Sequence, residues 1–329
     1  MLKGKRVLVT GAGGFIGSHL VETLLEKGAE IRAFLKYNGR GDLGMIADLP
    51  KASRDSLEII FGDVADPFFV RKAVRGCDYV FHLAALIGIP YSYLAPSDYV
   101  RVNVQGTVNI LQACLEEGTA RMVHTSTSEA YGTAQYTPID EKHPLEGQSP
   151  YSASKIAADK MVQSYHQSFD LPVVTVRPFN TYGPRQSARA FIPTVVSQAL
   201  TQDKLRLGSL EPVRDLTFVK DTAEGLITVG LCDKALGRVV NLGTGSGNSM
   251  GKIVREILRI LGKTDIPIEQ DAQRVRPPKS EVLCLISDNT VARELCGWGP
   301  GYSLRGGLSE TIEWIGKHLD RYRPEVYAV

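Results

Sequence analysis

Lys5-Arg6-Val7-Leu8-Val9-Thr10-Gly11-Ala12-Gly13-Gly14-Phe15-Ile16-Gly17 stands near the start of the chain and decides how the rest is read. The run from Lys5 to Thr10 is short, largely apolar and rich in β-branched residues, the pattern of a buried strand. An amphipathic helix is expected from Ser18 to about Glu26. Gly11, Gly14 and Gly17 mark the join, where the backbone must turn tightly and let a pyrophosphate approach a helix N-terminus. Gly-x-x-Gly-x-x-Gly alone also suits a structural turn; between a strand and a helix it points to dinucleotide binding.

Beyond this join, strands and helices alternate as a parallel sheet requires. Strands are expected at Arg6–Thr10, Glu30–Leu35, Leu57–Phe61, Tyr79–Leu83, Arg121–Thr125 and Val173–Arg177, with Val239–Leu242 following later. After Arg177 the rhythm is broken by Pro184, Pro193, Pro212, Pro267, Pro277 and Pro278. The expected fold is α/β: a Rossmann-type, doubly wound parallel sheet with a smaller, discontinuous substrate-binding lobe. Residues 1–177 and 222–250 are assigned to the dinucleotide-binding lobe, and 178–221 and 251–329 to the other.

Tyr151-Ser152-Ala153-Ser154-Lys155 places a phenol and an ammonium four residues apart, on one face of a helix for which Ser149 and Pro150 supply an N-cap and a first position. A cation a few Å away lowers an acid's pKa by ~1–3 units, so Lys155 is expected to favour the ionised form of Tyr151, which becomes a base near neutral pH. Thr127 would orient the alcohol being oxidised. Tyr-x-x-x-Lys occurs often by chance and gains its weight from the glycine motif.

Together these motifs resemble the extended short-chain dehydrogenase/reductases of the nucleotide-sugar epimerase and dehydratase family. The match runs over nearly the full length, through Gly62-Asp63-Val64, His82-Leu83-Ala84-Ala85, Asn103-Val104-Gln105-Gly106-Thr107, Arg177-Pro178-Phe179-Asn180, Arg214-Asp215-Leu216 and Asn241-Leu242-Gly243. His124 to Glu129 and Tyr136 to Pro144 further resemble the NAD-dependent 4,6-dehydratases of legionaminic acid synthesis. The resemblance implies dinucleotide contacts at Gly11, Gly14, Phe15, Ile16 and Gly17, at Asp63 and Val64, at Leu83, Ala84 and Ala85, and at Tyr151 and Lys155. It also implies nucleotide-sugar contacts at Asn180, Arg185, Arg214 and Arg276, with Arg189 and Arg274 as alternatives, and a homodimer paired through Val102–Glu116 and Tyr151–Gln167. Tyr91, at the carboxyl end of the fourth strand, is expected to line the sugar pocket.

The choice between NAD and NADP turns on the end of the second strand. The carboxylate that usually meets the adenosine ribose is replaced there by Leu35, with Lys36, Asn38 and Arg40 beyond it. That chemistry admits a 2′-phosphate, whereas the resemblance implies NAD, so both remain open.

Reaction type rests on Thr127-Ser128-Glu129. In a 4,6-dehydration the sugar is oxidised at C4, a base removes the acidified C5 proton, the C6 hydroxyl leaves as water, and the hydride returns to C6. Glu129 is the candidate base. Dehydratases acting on dTDP-glucose carry Asp-Glu at this pair; Ser128 here leaves the general acid open. Thr-Ser-Glu also occurs in decarboxylases of UDP-glucuronate, which makes decarboxylation the main rival, with 4-epimerisation behind it and a dinucleotide-binding sensor or scaffold as the non-enzymatic alternative. The expected substrate is UDP- or GDP-N-acetylglucosamine.

With 38 basic and 36 acidic residues the net charge is +2, which offers no footprint for nucleic acid or an anionic membrane. The five cysteines lack metal-ligand spacing, so reduced thiols and no metal site are expected. No leader and no apolar run of ~20 residues stands out, and a cytoplasmic enzyme is expected.

Overall fold

The computed structural model describes residues 2–274 and 282–322. Seven strands, β1 (Arg6–Thr10), β2 (Glu30–Lys36), β3 (Glu58–Gly62), β4 (Tyr79–His82), β5 (Arg121–Thr125), β6 (Val173–Pro178) and, after three strands that lie elsewhere, β10 (Val239–Leu242), form one sheet. Its order is β10-β6-β5-β4-β1-β2-β3, and every pairing is parallel. Val7, Leu8 and Val9 are fully buried, because β1 lies mid-sheet with both faces covered. Their side chains alternate: Val7 and Val9 join one apolar cluster with Leu20, Leu24 and Leu226, and Leu8 joins the opposite one with Val80, Ile110 and Val173.

From β1 the chain winds outward through β2 and β3, then returns to the other side of β1 as β4. Ligands of open α/β sheets bind at such a reversal, outside the carboxyl ends of the strands. Thr10 ties the reversal together: its hydroxyl accepts the Leu83 and Ala84 amides at 3.2 and 3.1 Å and meets Nδ1 of His82 at 2.8 Å. With both acceptor positions of Thr10 taken, its proton goes to Nδ1. His82 is therefore a neutral ring whose Nε2 donates to Thr107 at 3.1 Å. Burial holds its pKa well below the ordinary value.

The remaining strands are β7 (Asn180–Tyr182), β8 (Leu205–Leu207), β9 (Val213–Phe218), β11 (Gly247–Ser249), β12 (Ile268–Gln270) and β13 (Cys284–Leu285). β9 pairs with β7, β11 and β13, while β8 pairs with β12. The helices Phe191–Thr201, Met250–Leu261 and Leu304–Lys317 bury Val196, Ile253, Ile257 and Ile315 against these small sheets. Between β10 and β11 the chain turns through Gly243 to Ser246, held by Asp215, whose carboxylate accepts the Thr244, Gly245 and Ser287 amides at 2.8, 2.9 and 3.1 Å. Trp298 is buried and donates Nε1 to the Asp221 carbonyl at 3.2 Å.

Candidate active site

A cleft of about 670 Å³ opens at the reversal and contains most of the residues singled out above. That volume is within the ~300–1,000 Å³ of small-molecule sites. One end is the glycine loop. The helix Phe15–Glu26 has Gly14 as its N-cap with no side chain satisfying the first amides, so these point to the cleft as an anion site. Gly11 adopts φ +71°, and a Cβ there would stand 2.9 Å from the Ala84 amide nitrogen; a Cβ on Gly17 would overlap the Gly11 carbonyl oxygen. Gly17→Ala is therefore expected to displace the helix start. At ~1–3 kcal/mol of overpacking strain, dinucleotide affinity falls about 10- to 100-fold, measurable by calorimetry.

Along the wall follow Lys36 and Asn38 from the end of β2, Asp63 and Val64 after β3, and Leu83, Ala84 and Ala85 after β4. Although burial works against it, hydrogen bonds from the Ala65 amide at 2.9 Å and Arg101 at 3.1 Å hold the Asp63 carboxyl below its usual range. Arg40 is exposed and stands off this wall. Asp42 was not anticipated: it lines the cleft, and its carboxylate accepts the Gly44 amide at 2.8 Å.

At the other end Thr127, Ser128, Glu129, Tyr151 and Lys155 share the wall. Ser149 caps the helix Pro150–Phe169 in a reciprocal capping box with Ser152, which fixes the first turn that carries Tyr151. Thr127 ends the turn after β5 and accepts the Glu129 amide at 3.2 Å, holding the short turn Ser128–Tyr131 with the carboxylate on the cleft side. Burial pushes the Tyr151 phenol up; a hydrogen bond with Thr127 works the other way, and the nearby Glu129 carboxylate adds to the rise. The expectation of a phenol lowered by Lys155 is thus corrected for the protein alone. Burial is the largest cause of that rise, and the Lys155 ammonium donates to the Thr125 carbonyl at 2.8 Å. Its own pKa is pulled down to about 8 by burial, with Asp159 opposing.

Asn180 joins this end of the cleft, but other expected sugar or phosphate contacts do not. Tyr91 is exposed and packs near Tyr99, while Ile87 and Ile89 line the wall instead. Arg185, with φ +66°, is buried against the first helix, pairing with Glu22 at 3.0 Å beside His19. Burial and Arg185 together lower the His19 pKa to about 3. Arg214 is buried in β9 and donates to its neighbour's carbonyl at 3.1 Å, Arg274 pairs with Asp271 at 3.1 Å, and Arg276 lies outside the described residues. Gln186, Ser187 and Ala190, unremarked in the sequence, do line the cleft, flanking Arg189. Gln186 donates its amide to the Thr181 carbonyl at 3.0 Å, leaving a buried carbonyl oxygen without a partner, as on Asn180. His124, like His82, is buried within hydrogen-bonding distance of a partner. Among the described residues no group of His, Cys, Asp or Glu is arranged to hold a metal ion, and no helix is long and apolar enough to cross a membrane.

Residues 8–311 match the family described as GDP-mannose 4,6 dehydratase. The chain is 34% identical over 330 residues to a dTDP-glucose 4,6-dehydratase of Streptomyces griseus, covering 98% of this chain and 97% of that one. It is 33% identical over 320 residues to a UDP-glucose 4-epimerase of Mycolicibacterium smegmatis, covering 94% and 98%. The solved dTDP-glucose 4,6-dehydratase DesIV of Streptomyces venezuelae, with NAD bound, superposes with a TM-score of 0.84 at 30% identity, over 97% of this chain and 99% of that one. This protein belongs to the nucleotide-sugar dehydratase and epimerase family of extended short-chain dehydrogenase/reductases.

Proposed function

We propose that the protein is a nucleotide-sugar 4,6-dehydratase acting on UDP- or GDP-linked N-acetylglucosamine. The observation that carries this reading is Glu129 on the cleft wall beside Tyr151. The nicotinamide dinucleotide, when bound, accepts the C4 hydride and later returns it to C6. Tyr151 takes the proton of the C4 hydroxyl, Lys155 holds the ribose of the dinucleotide, and Thr127 orients the sugar. Glu129 takes the C5 proton and passes it to the C6 hydroxyl, which leaves as water as the C6–O bond breaks; Ser128 lines the same wall. Incubation with each nucleotide sugar tests the reading: a 4-keto-6-deoxy product with no net change in cofactor redox state is expected. A C4 epimer, or carbon dioxide released in a parallel incubation with UDP-glucuronate, would replace it by one of the rival activities.

The end of β2 supports the 2′-phosphorylated dinucleotide. Leu35 stands where a ribose-binding carboxylate would, Lys36 closes the strand after it, and Asn38 folds the loop behind by accepting the Arg40 and Asp42 amides at 3.2 and 2.8 Å. Lys36→Asp is expected to shift the ratio of NADP to NAD affinity about tenfold or more toward NAD, equivalent to at least ~1.4 kcal/mol; calorimetric titration with both checks it. A homodimer belongs to the same reading, since Val108 and Leu115 keep part of their surface exposed while Leu111 is fully buried.

A further inference from the structure

Behind Lys155 lies a set of buried charges that no step above uses. Asp159 follows Lys155 by one turn on the same face of the helix Pro150–Phe169. Its side chain is 4% exposed, and both oxygens are engaged from neighbouring strands. Oδ1 meets His124 Nε2 at 3.2 Å, while Oδ2 accepts from Ser126 Oγ at 2.8 Å and from Nε and Nη2 of Arg177 at 3.1 and 2.7 Å. Arg177 is itself fixed over the Tyr131 ring, 4.8 Å from its centre. A carboxylate held this firmly is a fixed negative charge, and these partners keep its pKa well below the carboxylate range in spite of burial.

The other groups around Lys155 do not supply that charge. On its own helix, the Tyr151 phenol is pushed up toward its neutral form. From β4 and β5, His82 and His124 are both shifted toward the neutral ring, first by burial and then by cations that include Lys155. From β6 comes Arg177, a like charge. Glu129 stands across Tyr151. We propose that Asp159, clamped by Arg177, Ser126 and His124, is a positioning residue that keeps Lys155 an ammonium, and so able to donate to the dinucleotide.

This rests on Lys155 being the cation that binds the dinucleotide, and calorimetric titration of the dinucleotide across neutral to alkaline pH, without sugar, separates the two claims. The native protein is expected to lose affinity as pH rises through about 8, where Lys155 gives up its proton. Asp159→Asn should move that break down by roughly 1–3 pH units, Asp159→Glu should restore it, and Ser126→Ala, which keeps the carboxylate, should leave it in place. Asp159→Asn/Arg177→Met removes both members of the buried pair and should move the break in the same direction by a smaller amount, because a like charge is lost with the carboxylate, whether or not the single variant folds. A break that stays put in the folded variants overturns the proposal and makes the cluster merely structural. No break in the native protein would instead remove Lys155 from the dinucleotide site.

Discussion

Glu129→Gln is expected to abolish formation of the 4-keto-6-deoxy sugar, by about 10²- to 10⁴-fold for loss of a positioned base, while reduced nicotinamide still accumulates when sugar is added. Glutamine keeps the shape of the side chain and removes only its capacity to take a proton. Oxidation at C4 relies on Tyr151 and survives; the C5 proton then has no acceptor, and the hydride stays on the cofactor. A second consequence follows from the electrostatics of the pair. The Glu129 carboxylate is one of the influences that raise the Tyr151 phenol, so its neutralisation lowers that pKa. The pH dependence of the surviving reduction should therefore move to lower pH. Stopped-flow absorbance of the reduced nicotinamide, with product analysis, reads both effects. Elimination at the native rate would assign the base elsewhere.

Tyr151→Phe is expected to remove both signals. The ring remains, with its packing near Tyr99, but the C4 hydroxyl has no group to receive its proton, and neither reduction nor product should exceed about 10⁻² to 10⁻⁴ of the native rate. Since Tyr151 is 8% exposed and its phenol meets Thr127, the variant should fold and bind the dinucleotide. Retained affinity with lost turnover distinguishes a catalytic phenol from a structural one.

The sheet was legible because each strand is local in sequence. β1, β5 and β10 fall where the reading places them, β2 runs one residue longer at its end, and β3 is shifted by one residue at both ends. The first helix begins at Phe15 instead of Ser18, since Gly14 serves as its N-cap in extended backbone and the glycine loop turns directly into the helix. The helix read from Val102 is the end of a longer winding that passes through Pro96–Tyr99 and a wide turn at Val100–Gln105 before Gly106–Glu117. An apolar periodicity of 3.6 does not register that change of pitch.

The arginines are a different case. Arg185 and Arg214 have the chemistry of phosphate ligands, yet their placement depends on how the second lobe meets the first, which no local pattern encodes. Glu22 on the first helix captures Arg185 across 163 positions of sequence. Gln186 has the reverse history: an ordinary residue by type, it reaches the cleft wall with its amide held by the Thr181 carbonyl and its own carbonyl oxygen buried. Asp159 was hidden for the same reason, since its three partners lie on β5, just after it and on β6.

The account depends most on the path of one hydrogen. With nucleotide-linked N-acetylglucosamine carrying deuterium at C4, the deuterium should appear at C6 of a 4-keto-6-deoxy product, a solvent proton should enter at C5, and the cofactor should end in the state in which it began. Deuterium returned to C4 with inverted configuration, or retained there with the C6 hydroxyl intact, would contradict it.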